Sequence, residues 1–228
     1  MKQLYLKADP NYIGRYTVPL LWDKKSDVAV NNESSEIIRM LASEFDHLVP
    51  EEQRETDRPG GGLYPEHLRA EIDAIEDKIY HTVNNGVYKV GFAKSQEAYD
   101  ANIAPLFATL DELEGRLENS EFLVGDSLTE ADIRLYTTLI RFDAGYNPVM
   151  QCSLKTIRGG YPHLHRFLRR LYWDNGRFNN AFRGTTLPLV KYTQGYAEVR
   201  RRLVLGPEAP LVIPLLPGEE VLMPRLTA

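Results

Sequence analysis

Residues 16–40 read Tyr16-Thr17-Val18-Pro19-Leu20-Leu21-Trp22-Asp23-Lys24-Lys25-Ser26-Asp27-Val28-Ala29-Val30-Asn31-Asn32-Glu33-Ser34-Ser35-Glu36-Ile37-Ile38-Arg39-Met40. Two β-branched and aromatic runs, Tyr16–Trp22 and Val28–Val30, flank the polar turn Asp23–Asp27. That spacing predicts a short antiparallel hairpin. Ile37, Ile38, Leu41 and Phe45 then follow at helical spacing, with Ser34 or Ser35 as a natural cap and Glu36 in the first turn. A hairpin with one helix cannot bury both faces of its sheet, because two strands alone are marginal in water. The stretch therefore reads as an incomplete α/β piece.

Beyond it the pattern changes. Residues 48–63 form a polar connection ending in Pro59-Gly60-Gly61-Gly62, the natural place for a domain boundary. Leu68, Ile72, Ile75, Ile79 and Val83 make one apolar helical stripe, with Pro65 near its start and Asn84-Asn85-Gly86 expected to break it. Tyr99, Ile103, Leu106, Leu110, Leu113 and Leu117 make another, in which Pro105 is expected to cause a kink. Thr129-Glu130-Ala131-Asp132 resembles a capping box, and Tyr161-Pro162 opens a further helix. After Gly206 the chain is rich in proline and apolar residues, reads as irregular, and needs a surface to lie on. The expected plan is an α/β piece over 1–50, a linker over 51–62, an all-α domain over 63–205 and an irregular tail over 206–228, mostly α as a whole.

Composition narrows the function classes. The chain has 228 residues, 43% of them hydrophobic, and a net charge of −5. It carries enough apolar material for a core, and it has no basic excess to neutralise phosphates, so nucleic-acid binding is not expected. No apolar run is long enough to span a bilayer, and MKQLYLKADP lacks the apolar core of a secretory signal, so no membrane role and a cytoplasmic location are expected. The single cysteine, Cys152, excludes an intrachain disulfide framework and multi-cysteine metal sites.

Several residues have both a chemical and a plainer reading. Val18-Pro19 at a strand is either a cis bond that exposes backbone groups to a peptide-like ligand or an ordinary trans proline on an edge. Asn32-Glu33-Ser34-Ser35 at a helix amino terminus is either a zwitterion site, with amides for a carboxylate and Glu33 for an ammonium, or plain capping. Tyr88 and Tyr146 are either donors to a polar aromatic ligand or core tyrosines. Cys152 follows a helix end, the wrong pole for a thiolate, and reads as structural. The five histidines form no metal pattern, and none is expected. Arg200-Arg201-Arg202 reads as a solvated face.

The order of these signals, together with Tyr16–Lys25, Asn31–Met40, Asn84-Asn85-Gly86-Val87-Tyr88-Lys89 and Arg141-Phe142-Asp143, resembles the xi-class glutathione transferases, the omega-like glutathionyl-hydroquinone reductases. The resemblance covers residues 1–175. It implies a thioredoxin-like glutathione-binding piece followed by an all-α glutathione-transferase domain, with glutathione as co-substrate and no metal. Val18 would pair its backbone with the cysteinyl part of glutathione, and Pro19 would be cis. Glu33 and Ser34 would hold the γ-glutamyl end. Tyr88 would line a quinone pocket, with Tyr146 and a tail tyrosine, Tyr192 or Tyr196, beside it. In the family a cysteine thiolate attacks the sulfur of a glutathionyl-hydroquinone, releases hydroquinone, and is freed by a second glutathione. Homodimerisation is expected by resemblance.

Two departures qualify the expectation. The family nucleophile lies in a Cys-Pro-Trp-Ala type motif, and no such motif occurs here, so no catalytic residue is assigned and the chain reads as truncated at its amino end. The family's tail carries Ser-His and Asn-Pro, which Tyr192–Pro207 lacks, and Gly145 beside Tyr146 is a smaller change. The alternative is a non-catalytic helical interaction or dimerisation module. A third reading recruits Cys152 as a replacement thiol.

Overall fold

Apolar residues at helical spacing dominate from Leu68 onward, and the helices follow them. The computed structural model describes residues 1–174 and 176–225. Asn175 of the expected helical domain and residues 226–228 of the expected tail lie outside the described residues. The chain divides into two units, Met1–Pro65 and Glu66–Ala228.

The first unit opens with helix α1 (Lys2–Ala8). An extended segment follows, in which the Val18–Pro19 bond is cis. Strands β1 (Leu21–Asp23) and β2 (Val28–Asn31) then pair antiparallel, with Trp22 opposite Ala29 and Asp23 opposite Val28. The Asp23 carboxylate tightens the turn by accepting from the amides of Lys25 (2.7 Å) and Ser26 (3.2 Å), and Asp27 takes the left-handed φ of 59°. The first strand is shorter than the Tyr16–Trp22 run. Tyr16 is drawn into a cluster with Tyr5 and Tyr12, with ring centroids 5.8 Å away, and Pro19 has no N–H for a ladder.

Helix α2 (Ser34–Ser43) follows directly. Its cap residue is Glu33, with extended backbone, rather than Ser34 or Ser35, and no side chain caps it. The Glu33 amide is turned away from the helix and donates to Asn31 Oδ1 (2.6 Å), and the helix starts at Ser34, one residue earlier than a Ser34 cap would give. Among the described residues Tyr5 and Ile37 are the only buried large apolar side chains of this unit, so its own core is thin. Short 3-10 turns at Asp46–Leu48, Glu51–Gln53, Glu55–Asp57 and Pro59–Gly61 lead to the next unit, and Gly60, Gly61 and Gly62 all take positive φ.

The second unit holds most of the core. Helix α3 (Arg69–Ile79) buries Ile72, Ile75 and Ile79. The chain does not break at Asn84-Asn85-Gly86. It passes through a π-turn at Tyr80–Asn84 into α4 (Gly86–Gly91), where Gly86 is helical and buried against Leu106 of the following helix. Helix α5 (Gln96–Arg116) is capped by Ser95, which accepts from the Ala98 amide (3.1 Å), and it remains helical through Pro105. Helix α6 (Glu130–Arg141) opens with the expected capping box. Asp132 accepts there from the Leu123 amide (2.8 Å), the Thr129 amide (2.9 Å) and the Thr129 hydroxyl (3.1 Å).

A second π-turn, Phe142–Tyr146, leads into α7 (Asn147–Val149), and α8 (Ile157–Gly160) follows. Thr156 caps α8, accepting from the Gly159 amide (3.0 Å), and Asp143 of the π-turn takes the amides of Ile157 (2.7 Å) and Arg158 (2.9 Å). Helix α9 (Pro162–Tyr172) begins at the expected Tyr161-Pro162, and Glu114 of α5 takes its first free amides, those of His163 and Leu164, both at 2.8 Å. Helices α10 (Ala181–Thr185) and α11 (Leu189–Arg200), a third π-turn (Arg201–Leu205) and α12 (Glu219–Leu222) complete the chain. The tail is extended over 210–217, as its prolines suggest. It is then pinned, with Leu222 and Met223 buried, and His165 Nε2 lies 3.1 Å from the Leu222 carbonyl. Each such enclosed Leu or Ile contributes about 1.5–3 kcal/mol.

Candidate functional site

Each unit holds one group of candidate residues, and the π-turn at Phe142–Tyr146 organises that of the second unit. A π-turn adds a residue to one helical turn and reorients the side chains beyond it. Here it swings Tyr146 into the space facing α4 and α11. The hydroxyls of Tyr88, Tyr146 and Tyr196 meet there. Tyr146 and Tyr196 Oη are 2.7 Å apart, Tyr88 and Tyr146 Oη 3.0 Å, and Tyr88 and Tyr196 Oη 3.2 Å. Each phenol has one hydrogen to donate. Three mutual contacts use all three, which leaves lone pairs as the trio's remaining valence. Tyr146 is enclosed, whereas Tyr88 and Tyr196 are half-buried.

Burial, reinforced by the neighbouring phenols, raises the Tyr146 hydroxyl well above the ordinary tyrosine range. Burial also pushes Tyr196 up to about 12, against the lowering effect of its bond with Tyr146. Tyr146 and Tyr196 are therefore neutral phenols at physiological pH. Burial disfavours the Arg141 charge, but the phenol oxygens of Tyr196 and Tyr146 outweigh that, so the guanidinium stays firmly cationic. Arg141 ends α6, and in the sequence it stands out only as part of the Arg141-Phe142-Asp143 signature. Its place beside the trio is a tertiary fact.

Two contacts seat α11 on the π-turn. The Thr193 hydroxyl donates to the Ala144 carbonyl. The Tyr196 ring lies on Gly145, where a Cβ would come within 2.5 Å of it. Gly145 is thus what lets Tyr196 reach the other two phenols. Tyr192 is not brought to the trio. Its hydroxyl accepts from the Leu187 amide (3.1 Å), and its ring faces Arg141 at 5.2 Å.

In the first unit Val18 is 73% exposed, and Pro19, Glu33 and Ser34 are also open to solvent. Tyr5, to which the sequence pointed in no way, ties their two segments together. Its hydroxyl donates to the Thr17 carbonyl (3.0 Å) and accepts from Asn32 Nδ2 (3.3 Å). One phenol therefore holds the residue before Val18 and the residue before Glu33. The only signal for it would have been a lone tyrosine between two leucines in a short helix.

Cys152 is fully buried, and burial pushes its thiol up to about 12. Its nearest polar atoms are the carbonyls of Met150 (3.8 Å) and Val87 (3.9 Å), neither of which can stabilise a thiolate. A nucleophile needs the opposite environment. Among the described residues Asp73, Glu76 and Glu130 could bring three carboxylates together, but Glu76 is already ion-paired with Arg134. No helix of the described residues is long and apolar enough to cross a membrane.

The glutathione S-transferase C-terminal domain family matches residues 96–170. The glutathione S-transferase omega-like 2 of Schizosaccharomyces pombe is 47% identical over 203 residues, 87% of this chain and 63% of that protein. Glutathionyl-hydroquinone reductase PcpF of Sphingobium chlorophenolicum is 51% identical over 171 residues, 74% of this chain and 51% of that protein. The crystal structure of the xi glutathione transferase ECM4 of Saccharomyces cerevisiae in complex with glutathione superposes with a TM-score of 0.84 at 39% identity, over 99% of this chain and 68% of that one. The chain spans about half to two thirds of the length of the curated relatives it matches. Identity at this level over nearly the whole chain, with the fold retained, makes this chain a member of the xi-class, omega-like glutathione transferases.

Proposed function

We propose that this chain carries the glutathione- and hydroquinone-binding elements of a glutathione-dependent glutathionyl-hydroquinone reductase. The phenol trio of Tyr88, Tyr146 and Tyr196 is the observation that carries the reading. A cluster of phenol hydroxyls, polar at its tip and aromatic at its walls, suits a ring bearing hydroxyl groups. Its free lone pairs favour a ligand that donates. Val18 would pair with the backbone of glutathione, and Glu33 and Ser34 at the start of α2 would hold its α-amino and α-carboxylate ends. Pro19 shapes that segment. Tyr192 would support Arg141 rather than touch the ring.

In the family's reaction a thiolate sulfur bonds to the glutathionyl sulfur. The carbon–sulfur bond breaks, the ring carbon takes a proton, and hydroquinone leaves. A second glutathione then reduces the mixed disulfide to glutathione disulfide and restores the thiolate. Cys152 is not suited to that step. The chain is thus read as binding both partners, with the family's thiolate chemistry outside its own residues. A homodimer and a cytoplasmic location belong to the same reading and rest on kinship and composition. The buried state of the one cysteine also favours the second reading, a non-catalytic helical interaction or dimerisation module.

The test mixes this chain with a glutathionyl-hydroquinone and reduced glutathione and follows hydroquinone release against a no-protein control, alongside equilibrium dialysis of hydroquinone. Saturable hydroquinone binding, weakened by Tyr88→Phe, with no release above control is expected. Absence of binding would leave the interaction module as the better reading. Release above control would show that a thiol or a thiol-free route within this chain performs the chemistry, and Cys152→Ser would then decide between the two.

A further inference from the structure

Residues of α7, α11, the third π-turn and the tail, none of them a member of the phenol trio, line a half-open cavity of about 260 Å³. Pro148 and Val149 form one wall, and Val212 and Pro214 of the extended tail form the other. Arg200 and Arg201 lie between them, and no acidic residue lines the space. The two arginines differ in their surroundings. Arg201 is satisfied, since it donates to both carboxylate oxygens of Glu198 (2.6 and 3.2 Å) and to the Pro207 carbonyl (2.6 Å), which ties the tail back at its start. Arg200 has no acceptor among the described residues, and its Nε is shielded from solvent without a partner. Glu198, the nearest carboxylate in sequence, is spent on Arg201, which holds it below the usual carboxylate range.

Arg200 thus lines the space as a half-buried cation whose Nε is unpaired and whose other N–H groups are free to donate to an anion between apolar walls. Its fork matches a carboxylate in particular. The volume lies just below the range of drug-sized sites, so the occupant is a single small molecule. We infer that this cavity is a binding site for a small amphipathic carboxylate of one or two rings, held by Arg200 at its head and by Val149, Pro148, Val212 and Pro214 around its body. Nothing in this site draws on the phenol trio or on Cys152, so the assignment stands independently of the proposed hydroquinone site. Because the tail forms one wall, the ligand would bridge α11 and the tail.

The probe is 2-naphthoate, added to the full chain and followed by its fluorescence and by equilibrium dialysis, with neutral 2-naphthamide as the shape-matched comparison. Saturable naphthoate binding is expected, with the amide at least about tenfold weaker. Arg200→Met keeps the apolar stem and removes the charge, and it should weaken naphthoate about tenfold while leaving the amide unchanged. Val212→Asp places a carboxylate on a wall residue that is 71% exposed, which folding tolerates. It should repel naphthoate and spare the amide, and it keeps the test decisive if the Arg200 variant is poorly folded. Tyr196→Phe should leave naphthoate binding as it is. Equal binding of acid and amide, unchanged binding in both the Arg200 and Val212 variants, or no saturation below millimolar naphthoate would each overturn the assignment.

Discussion

At the scale of single residues, the site depends on an absence and on an enclosure. Gly145 has no Cβ, and the Tyr196 ring fills the place one would take. Gly145→Ala must push that ring outward, and the overpacking costs about 1–3 kcal/mol. The expected result is a lower urea midpoint together with a tyrosine difference spectrum showing that at least one phenol has moved toward water. An unchanged spectrum would mean that Tyr196 does not depend on Gly145. Cys152 shows the converse. With its thiol raised to about 12 and its side chain enclosed, a disulfide reagent at pH 8 should label it only after denaturant is added. Labelling in the native state at the rate of a free thiol would refute the burial.

At the scale of elements, helix ends set the pH response. Asp132 caps α6 from a buried position, and desolvation raises its carboxyl from 3.8 to about 6. The folded state therefore holds that proton more tightly than the unfolded chain does. Stability from this group is present at acid pH and lost as pH rises from about 4 to about 6, by roughly 3 kcal/mol when complete. Asp132→Asn, which cannot titrate, should flatten that step in urea-unfolding free energies measured across the window. A variant with the same step would place the titration elsewhere.

His165 on α9 has the opposite sign. Burial holds it below its ordinary 6.5 despite its contact with the Leu222 carbonyl. The unfolded chain binds that proton more readily, so its contribution is present above pH 6.5 and lost as pH falls below it. The protection factors of the Leu222 and Met223 amides, their exchange measured against the intrinsic rate at each pH, should fall on going from pH 7 to below 6. In His165→Gln, which keeps a donor and loses the charge, those protection factors should be insensitive to that change.

At the scale of the whole molecule, the two units differ in how far they stand on their own. Glu66–Ala228 buries nearly all of the enclosed apolar side chains, whereas Met1–Pro65 buries two among its described residues. Thermal unfolding followed by far-ultraviolet circular dichroism should therefore report chiefly the second unit. Substitutions confined to the first, such as Tyr5→Phe, should leave that melt nearly unmoved while weakening glutathione binding. A Tyr5→Phe chain that melts many degrees lower would mean that the thin first unit contributes far more than its core allows. The long helices up to α9 were legible beforehand in their order, because a stripe such as Ile72, Ile75, Ile79 can be satisfied in only one way, whereas α11, which has no clean apolar stripe, was not singled out. The π-turns were not legible, since no local residue choice announces them, and Asn84-Asn85-Gly86 looked like an end where the chain in fact continues.

The amino-acid sequence alone determined the hairpin turn at Asp23–Asp27, the capping box at Thr129–Asp132, the helix start at Tyr161-Pro162 and the mostly helical class. Each of these rests on spacing and on side-chain chemistry within a few residues. Tertiary structure alone decided that Tyr196 rather than Tyr192 joins Tyr88 and Tyr146, that Arg141 lies beside them, that Tyr5 links the segments of Val18 and Glu33, and that Arg200 lacks a partner. Those outcomes depend on which atoms packing brings together across tens to about a hundred residues. They are set by the closing of the core around Gly145 and the π-turn, which no local pattern encodes.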